Sequence, residues 1–247
     1  MRRFGAGGIG LFLLGATLAL GFVAAAQSIG KAMVAMRQES GIRVKGTASQ
    51  DVRSDQGSWS GTISGRGATL PEAYAAMSAS MQRLHDGVLT AGFPETALAL
   101  SSIRTNAVYA LDSQGRTTNR VEAYDLSQTL YVKSADVVLV ERLARQATDL
   151  VQQGIAVDSG KASFTCSNID AIKLQLLSAA TENGATRART LAEGSGGKVG
   201  KLLSASQGVF QIVERGSIDS SDYGSYDTDT IEKTVRAVVT LEFALDR

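Results

Sequence analysis

Lys233-Thr234-Val235-Arg236-Ala237-Val238-Val239-Thr240-Leu241-Glu242-Phe243-Ala244-Leu245 is the stretch on which the reading of the fold turns. Val235, Ala237, Val239, Leu241, Phe243 and Leu245 recur at every second position, with Arg236, Thr240 and Glu242 between them. A period of two puts the apolar set on one face of a strand. One buried face and one wetter face is the pattern of an antiparallel sheet with helices on a single side.

Working outward, a polar segment from Ser217 to Thr230 precedes this strand, and another strand is expected over about Lys201–Val213. Before that, a long helix starts at about Ile169 with Asn168 as cap and ends in Gly194-Ser195-Gly196-Gly197. Asn183-Gly184 lies inside it; glycine there costs about 1 kcal/mol against alanine, which predicts a bend or a close helix-on-sheet contact. A strand near Ile155–Cys166 leads into this helix. The preceding helix, about Ala135 to Gln153, is expected to bury Leu139, Leu143, Ala147 and Leu150, to pair Glu141 with Arg145 on its surface and to stop at Gly154. A strand pair, Ile103–Ala110 and Val121–Lys133, is joined by Asp112-Ser113-Gln114-Gly115-Arg116, with Tyr124, Leu126, Gln128, Leu130 and Val132 on one face.

Further upstream, Thr69, Pro71 and Glu72 form a helix-start signal, a capping box with proline in the first turn. The core stripe of that helix reads Leu70, Tyr74, Met77, Met81, Leu84 and Val88, ended by Gly92. Two strands open the body: Ile42 and Val44 alternate with Arg43 and Lys45, and a second strand carries Trp59, Gly61 and Ile63. The expected order is β-β-α-β-β-α-β-α-β-β, an α+β body of mostly antiparallel sheets covered by three helices.

Phe4 to Ala26 contains no charge and, as a helix, extends about 34 Å, enough to cross a hydrocarbon core of about 30 Å. The chain therefore divides into residues 1–40, an N-terminal transmembrane helix with a short helical stalk, and a body at 41–247. Arg2 and Arg3 precede the run and Ala24-Ala25-Ala26 would suit a signal peptidase. The run exceeds the length usual for a cleaved signal, which favours retention as a signal-anchor. Small residues four apart, Gly15 and Ala19, then Thr17, Gly21 and Ala25, permit close packing of two such helices in lipid. Ile29, Met33 and Met36 continue an apolar stripe away from Lys31 and Arg37. The expected placement is single-pass in the inner (cytoplasmic) membrane, with the C-terminal body in the periplasm.

Of 25 basic and 24 acidic residues, four and one fall in the first forty, leaving the body 21 and 23, a net charge of −2. A near-neutral body without a basic stripe gives no reason to expect nucleic acid as a partner. Cys166, the single cysteine, excludes an intrachain disulfide and is expected to be a buried, inert thiol. His85, the single histidine, would have to serve any triad, dyad or imidazole metal site, and is expected to be solvated on its helix. Gly194 to Gly200 lacks the spacing and the strand–helix context of a phosphate loop. Asp219, Asp222, Asp227 and Asp229 do not follow calcium-loop spacing; their segment reads as a mobile hairpin loop whose Tyr223 and Tyr226 are free to meet a neighbouring subunit. No catalytic, cofactor or metal residue is assigned, and the chain is expected not to be an enzyme.

Val44-Lys45-Gly46, Asp51-Val52 and the Asp55–Trp59 segment resemble the start of SIMPL-domain proteins. The similarity continues through Ala188, Ala192, Gly196 and Gly200, and is closest in Gln207-Gly208-Val209-Phe210-Gln211-Ile212 and Ile231-Glu232-Lys233-Thr234-Val235-Arg236. Gly184 departs from the pattern, where alanine is expected. The resemblance implies a periplasmic or membrane-anchored α+β protein that tends to self-associate and is linked to envelope and oxidative stress; it supplies no catalytic residues. The expected function is a non-enzymatic cell-envelope scaffold or stress-protective protein, membrane-bound through Phe4 to Ala26 and homo-oligomeric. The alternative is a module binding a small molecule or envelope component of unknown identity.

Overall fold

A computed structural model describes residues 41–152, 154–218, 221 and 223–246, and in the N-terminal stretch only 19, 21–23, 25–28 and 30. Those N-terminal residues are helical. The remainder of the expected span, the end of the stalk and Asp219 and Asp222 lie outside the described residues. Among the described residues no helix is long and apolar enough to cross a membrane.

The body is α+β. Its strands are β1 (Gly41–Arg53), β2 (Gln56–Gly67), β3 (Leu98–Leu100), β4 (Arg104–Leu111), β5 (Thr117–Ser134), β6 (Val157–Ser159), β7 (Ser163–Thr165), β8 (Lys198–Gln207), β9 (Gln211–Glu214), β10 (Ser225–Tyr226) and β11 (Glu232–Asp246). The helices are α1 (Leu70–Thr90), α2 (Val137–Gln152) and α3 (Ile169–Gly194), with a 3-10 turn at Glu95–Ala97. One sheet runs β3-β5-β2-β6, with β4 also on β5 and β7 also on β2; the other runs β1-β11-β9-β10, with β8 also on β11. Strand β5 is antiparallel to β2, β3 and β4, β2 to β6 and β7, and β11 to β8 and β9; the short β9–β10 contact is parallel. The chain forms two compact units, one of residues 1–47, 177–208 and 238–247, the other of 48–176 and 209–237.

In the larger unit, β2 pairs with β5 from Gly57↔Ser134 to Gly67↔Tyr124. Trp59, Ile63, Leu126, Leu130 and Val132 make one buried layer, and Met77, Met81, Leu84 and Val88 of α1 with Val137, Val140, Leu143 and Ala147 of α2 make the other. Trp59 is buried, and its indole N–H donates to Ser159 Oγ at 3.0 Å. The helix seats closely because β2 has glycine where α1 crosses. A Cβ on Gly65 would stand 2.4 Å from Met77 N and 2.6 Å from Ala73 O.

The capping box at Thr69 and Glu72 is present, with Pro71 in the first turn. Leu70 and Tyr74 do not belong to the core, being 45% and 51% exposed, whereas Ala73 is fully buried. The close crossing explains the difference: beside backbone the contact position admits only a small side chain. Glu141 and Arg145 pair at 2.9 Å. Gly92, Gly154 and Gly196 carry the positive φ that turns the chain at the ends of α1, α2 and α3.

Two expected strands are each two shorter ones. The Ile155–Cys166 strand is β6 and β7, which pair with separate parts of β2. The Lys201–Val213 strand breaks after Gln207, where Gly208 N–H donates to Val238 O at 2.9 Å; β8 and β9 then follow different parts of β11. In the smaller unit α3 runs unbroken through Gly184. Ala180, Gly184, Ala188 and Ala192, one turn apart, are all buried, and Gly46 of β1 lies against Ala180 and Gly184.

Candidate functional site

His85 is not the solvated side chain expected. Its side chain is 20% exposed, with Nε2 3.1 Å from Glu95 Oε1 of the 3-10 turn. Nδ1 is buried without a hydrogen-bond partner, and the Asp86 carboxylate stands 3.8 Å away. Tyr74, Ser78, Gln82, Leu100 and Gln128 share with it a cleft of about 250 Å³. The Ser78 hydroxyl in this cleft donates to the Ala75 carbonyl at 3.2 Å.

Cys166 is buried, its Sγ 3.6 Å from the Arg53 carbonyl oxygen. Burial pushes the thiol up from its ordinary value, which keeps it protonated and poorly nucleophilic. Cys166 and His85 thus have different partners and do not form a dyad.

The segment before β11 is tied down where it is described. Phe164 N–H donates to Thr228 O at 2.7 Å, and Asp227 N–H to Ile212 O at 2.8 Å. Asp227 is the organiser. It accepts from the Thr230 hydroxyl and from Asp229 N–H, and it stands 3.5 Å from the Lys233 ammonium, which is only 1% exposed. Burial pushes the Asp227 carboxyl up, but these hydrogen bonds and the lysine together hold it below the usual carboxylate range. Asp227 is thereby committed to structure, and no cluster of metal-binding groups occurs among the described residues. Lys233 escaped the sequence reading although its parity with Val235 pointed it inward.

At the C-terminus of α3, Gly197 N–H donates to Ala192 O at 2.9 Å, so the glycine run is a helix stop and turn.

A broad concavity of about 500 Å³ lies in the smaller unit between β1 and α3, lined by Arg43, Val44, Lys45, Thr186, Arg187 and Leu191 among others. β1 ends its sheet, so one backbone edge is unpaired by strands. Helix side chains cover part of it: Thr47 N–H donates to Asn183 Oδ1 at 3.1 Å, and Arg187 donates to Lys45 O at 3.3 Å. Arg43 is held 2.8 Å from Glu242. Among the described residues the exposed Lys45 ammonium has no ionic or hydrogen-bond partner. From residue 41 onward this unit carries seven basic and four acidic residues, and the larger unit fourteen and nineteen. Whole-chain charge conceals that division, and only the tertiary grouping exposes it.

No relative is found among curated proteins. The profile of one family, SIMPL, described as a protein of unknown function (DUF541), matches residues 42–243, which takes in every body helix and all but the outermost residues of the body strands. The description points to no enzyme family. By that match over most of its length, the chain belongs to the SIMPL family.

Proposed function

We propose that the chain is a membrane-anchored protein of the cell envelope that self-associates through its SIMPL body and acts as a non-enzymatic scaffold or stress-protective element. The observation that carries this reading is apolar surface left over on features with little support of their own. β5 residues 117–123 pair only with β4, so this part of the hairpin is a two-stranded ribbon, yet Tyr109, Leu111 and Val121 on it are 45%, 62% and 38% exposed. Isolated ribbons are marginal in water, and grouped exposed apolar side chains mark contact surfaces. Anchoring is supported by the uncharged Phe4–Ala26 run. Native mass spectrometry of the full chain extracted in mild detergent tests both parts. The expected result is an assembly of chains retaining residues 1–26; a monomer rejects the assembly, and chains beginning at Gln27 reject the anchor.

A further inference from the structure

We propose that the basic groove between β1 and α3 holds the phosphate-bearing headgroup of an anionic phospholipid, drawn from the bilayer that the N-terminal apolar run enters. The proposal rests on the anchoring reading and adds to it a contact that the folded body itself makes with lipid.

Charge sets the class of ligand. Arg43 and Lys45 share one face of β1, and Arg187 meets them from α3. Arg43 is matched by Glu242 at 2.8 Å. Lys45 and Arg187 face no carboxylate in an ion pair among the described residues, and both are exposed. Arg187 spends one N–H on Lys45 O at 3.3 Å and keeps the rest of its donor fork. A guanidinium fork beside an ammonium suits a phosphate group, which takes paired hydrogen bonds from the first and a point charge from the second. Strand addition by a peptide along the middle of β1 is blocked, because Asn183 and Arg187 already occupy Thr47 N–H and Lys45 O.

Two further observations select a lipid as the source of that phosphate. Leu191 lies one helical turn beyond Arg187 on the groove wall and is 57% exposed. A free phosphate leaves it in water, whereas the glycerol and acyl part of a lipid covers it. The second observation is where the chain comes from. The uncharged run ends at Ala26 and β1 starts at Gly41, so Arg43 and Lys45 follow the first body residue almost at once. The link between them extends about 21 Å as a helix and at most about 50 Å as extended chain, which keeps the groove near the bilayer surface. Between Gln27 and Lys45 the chain has Lys31, Arg37, Arg43 and Lys45 against Glu39 alone. A juxtamembrane surplus of this kind is drawn to anionic headgroups, and the basic balance of the smaller unit acts in the same direction.

The test uses the full chain in mild detergent, with phosphatidylglycerol or phosphatidylcholine added and bound lipid counted by native mass spectrometry. Both lipids carry phosphate, but only the first is anionic overall. The parent is expected to retain phosphatidylglycerol at least tenfold more tightly than phosphatidylcholine. Lys45→Glu/Arg187→Glu is expected to lose that preference, and Lys45→Arg/Arg187→Lys to keep it. Arg104→Glu/Arg120→Glu makes the same change of charge in the larger unit and is expected to keep it as well. If circular dichroism shows the groove double variant unfolded, Lys45→Glu, at an exposed side chain, replaces it.

A parent without the preference, or a preference that the groove variant retains, overturns the headgroup site. Equal loss in the Arg104→Glu/Arg120→Glu variant overturns it in favour of net charge alone. Release of phosphatidylglycerol by excess inorganic phosphate overturns the lipid source in favour of free phosphate. Chains that begin at Gln27 yet select phosphatidylglycerol through Lys45 and Arg187 overturn the anchor and leave the headgroup site standing.

Discussion

Gly46 and Gly184 meet where α3 crosses β1, and there is no room for a methyl group between them. A Cβ on Gly46 would stand 2.0 Å from Ala180 O and 2.7 Å from Gly184 N, both backbone atoms that cannot swing aside. Gly46→Ala is expected to destabilise the fold by about 1–3 kcal/mol through overpacking. Gly87 is the control. It lies inside α1, and a methyl group added there would have nothing within 4 Å. There the helix preference of alanine dominates, so Gly87→Ala is expected to stabilise by about 0.5–1 kcal/mol. Urea denaturation of both variants checks the pair, and equal effects of the same sign would refute the close-crossing account. Gly184, read from sequence as a departure from the family pattern, is a contact in an unbroken helix. Sequence offered both a bend and a close contact there, and only the partner strand chose between them.

At the scale of elements, Asp55 joins the β1–β2 turn to the start of α3. Its carboxylate accepts from Ser167 N–H at 2.7 Å and from the Ser167 hydroxyl, just ahead of the helix. The Ser167 hydroxyl, then its N–H, hold the Asp55 carboxyl below the usual range. A lowered native pKa stabilises the fold above the ordinary value of about 4, and that contribution is lost as pH falls through the native value. Asp55→Asn is expected to cost a few tenths of a kcal/mol at pH 7, about the worth of an exposed charged contact screened by water. The gap from the parent should narrow as pH falls below about 4. Melting curves from pH 7 to pH 2 test this, and a gap constant with pH would remove the charge from the explanation. Sequence reading placed Asn168 at the head of the helix, and α3 does start at Ile169, with Ile172 N–H donating to Asn168 O at 3.2 Å. The donor pair at Ser167, one residue earlier, finds its acceptor 112 positions away, which no local pattern reports.

For the molecule as a whole, the two units share strands and a helix yet differ in charge balance. If copies assemble in the folded state alone, mass action adds stability as concentration rises. The apparent Tm of the full chain is therefore expected to climb by several degrees across a hundredfold increase in concentration. A Tm independent of concentration would count against assembly through this body.

Local rules were enough for the helix starts and stops, the β4–β5 hairpin and the alternation of β11. Capping boxes, glycine turns and the strand period depend on neighbours within a few residues. The buried Cys166 also agrees with its expectation, which rested on the run Phe164-Thr165-Cys166. Tertiary structure alone decided where β8 breaks from β9, that Ala73 and not Leu70 or Tyr74 packs at the start of α1, what holds Lys233 and Asp227, and that Arg43, Lys45 and Arg187 line one groove. Each of these depends on residues far apart in the chain, and the free energy that fixes them comes from packing and desolvation after the chain has closed on itself.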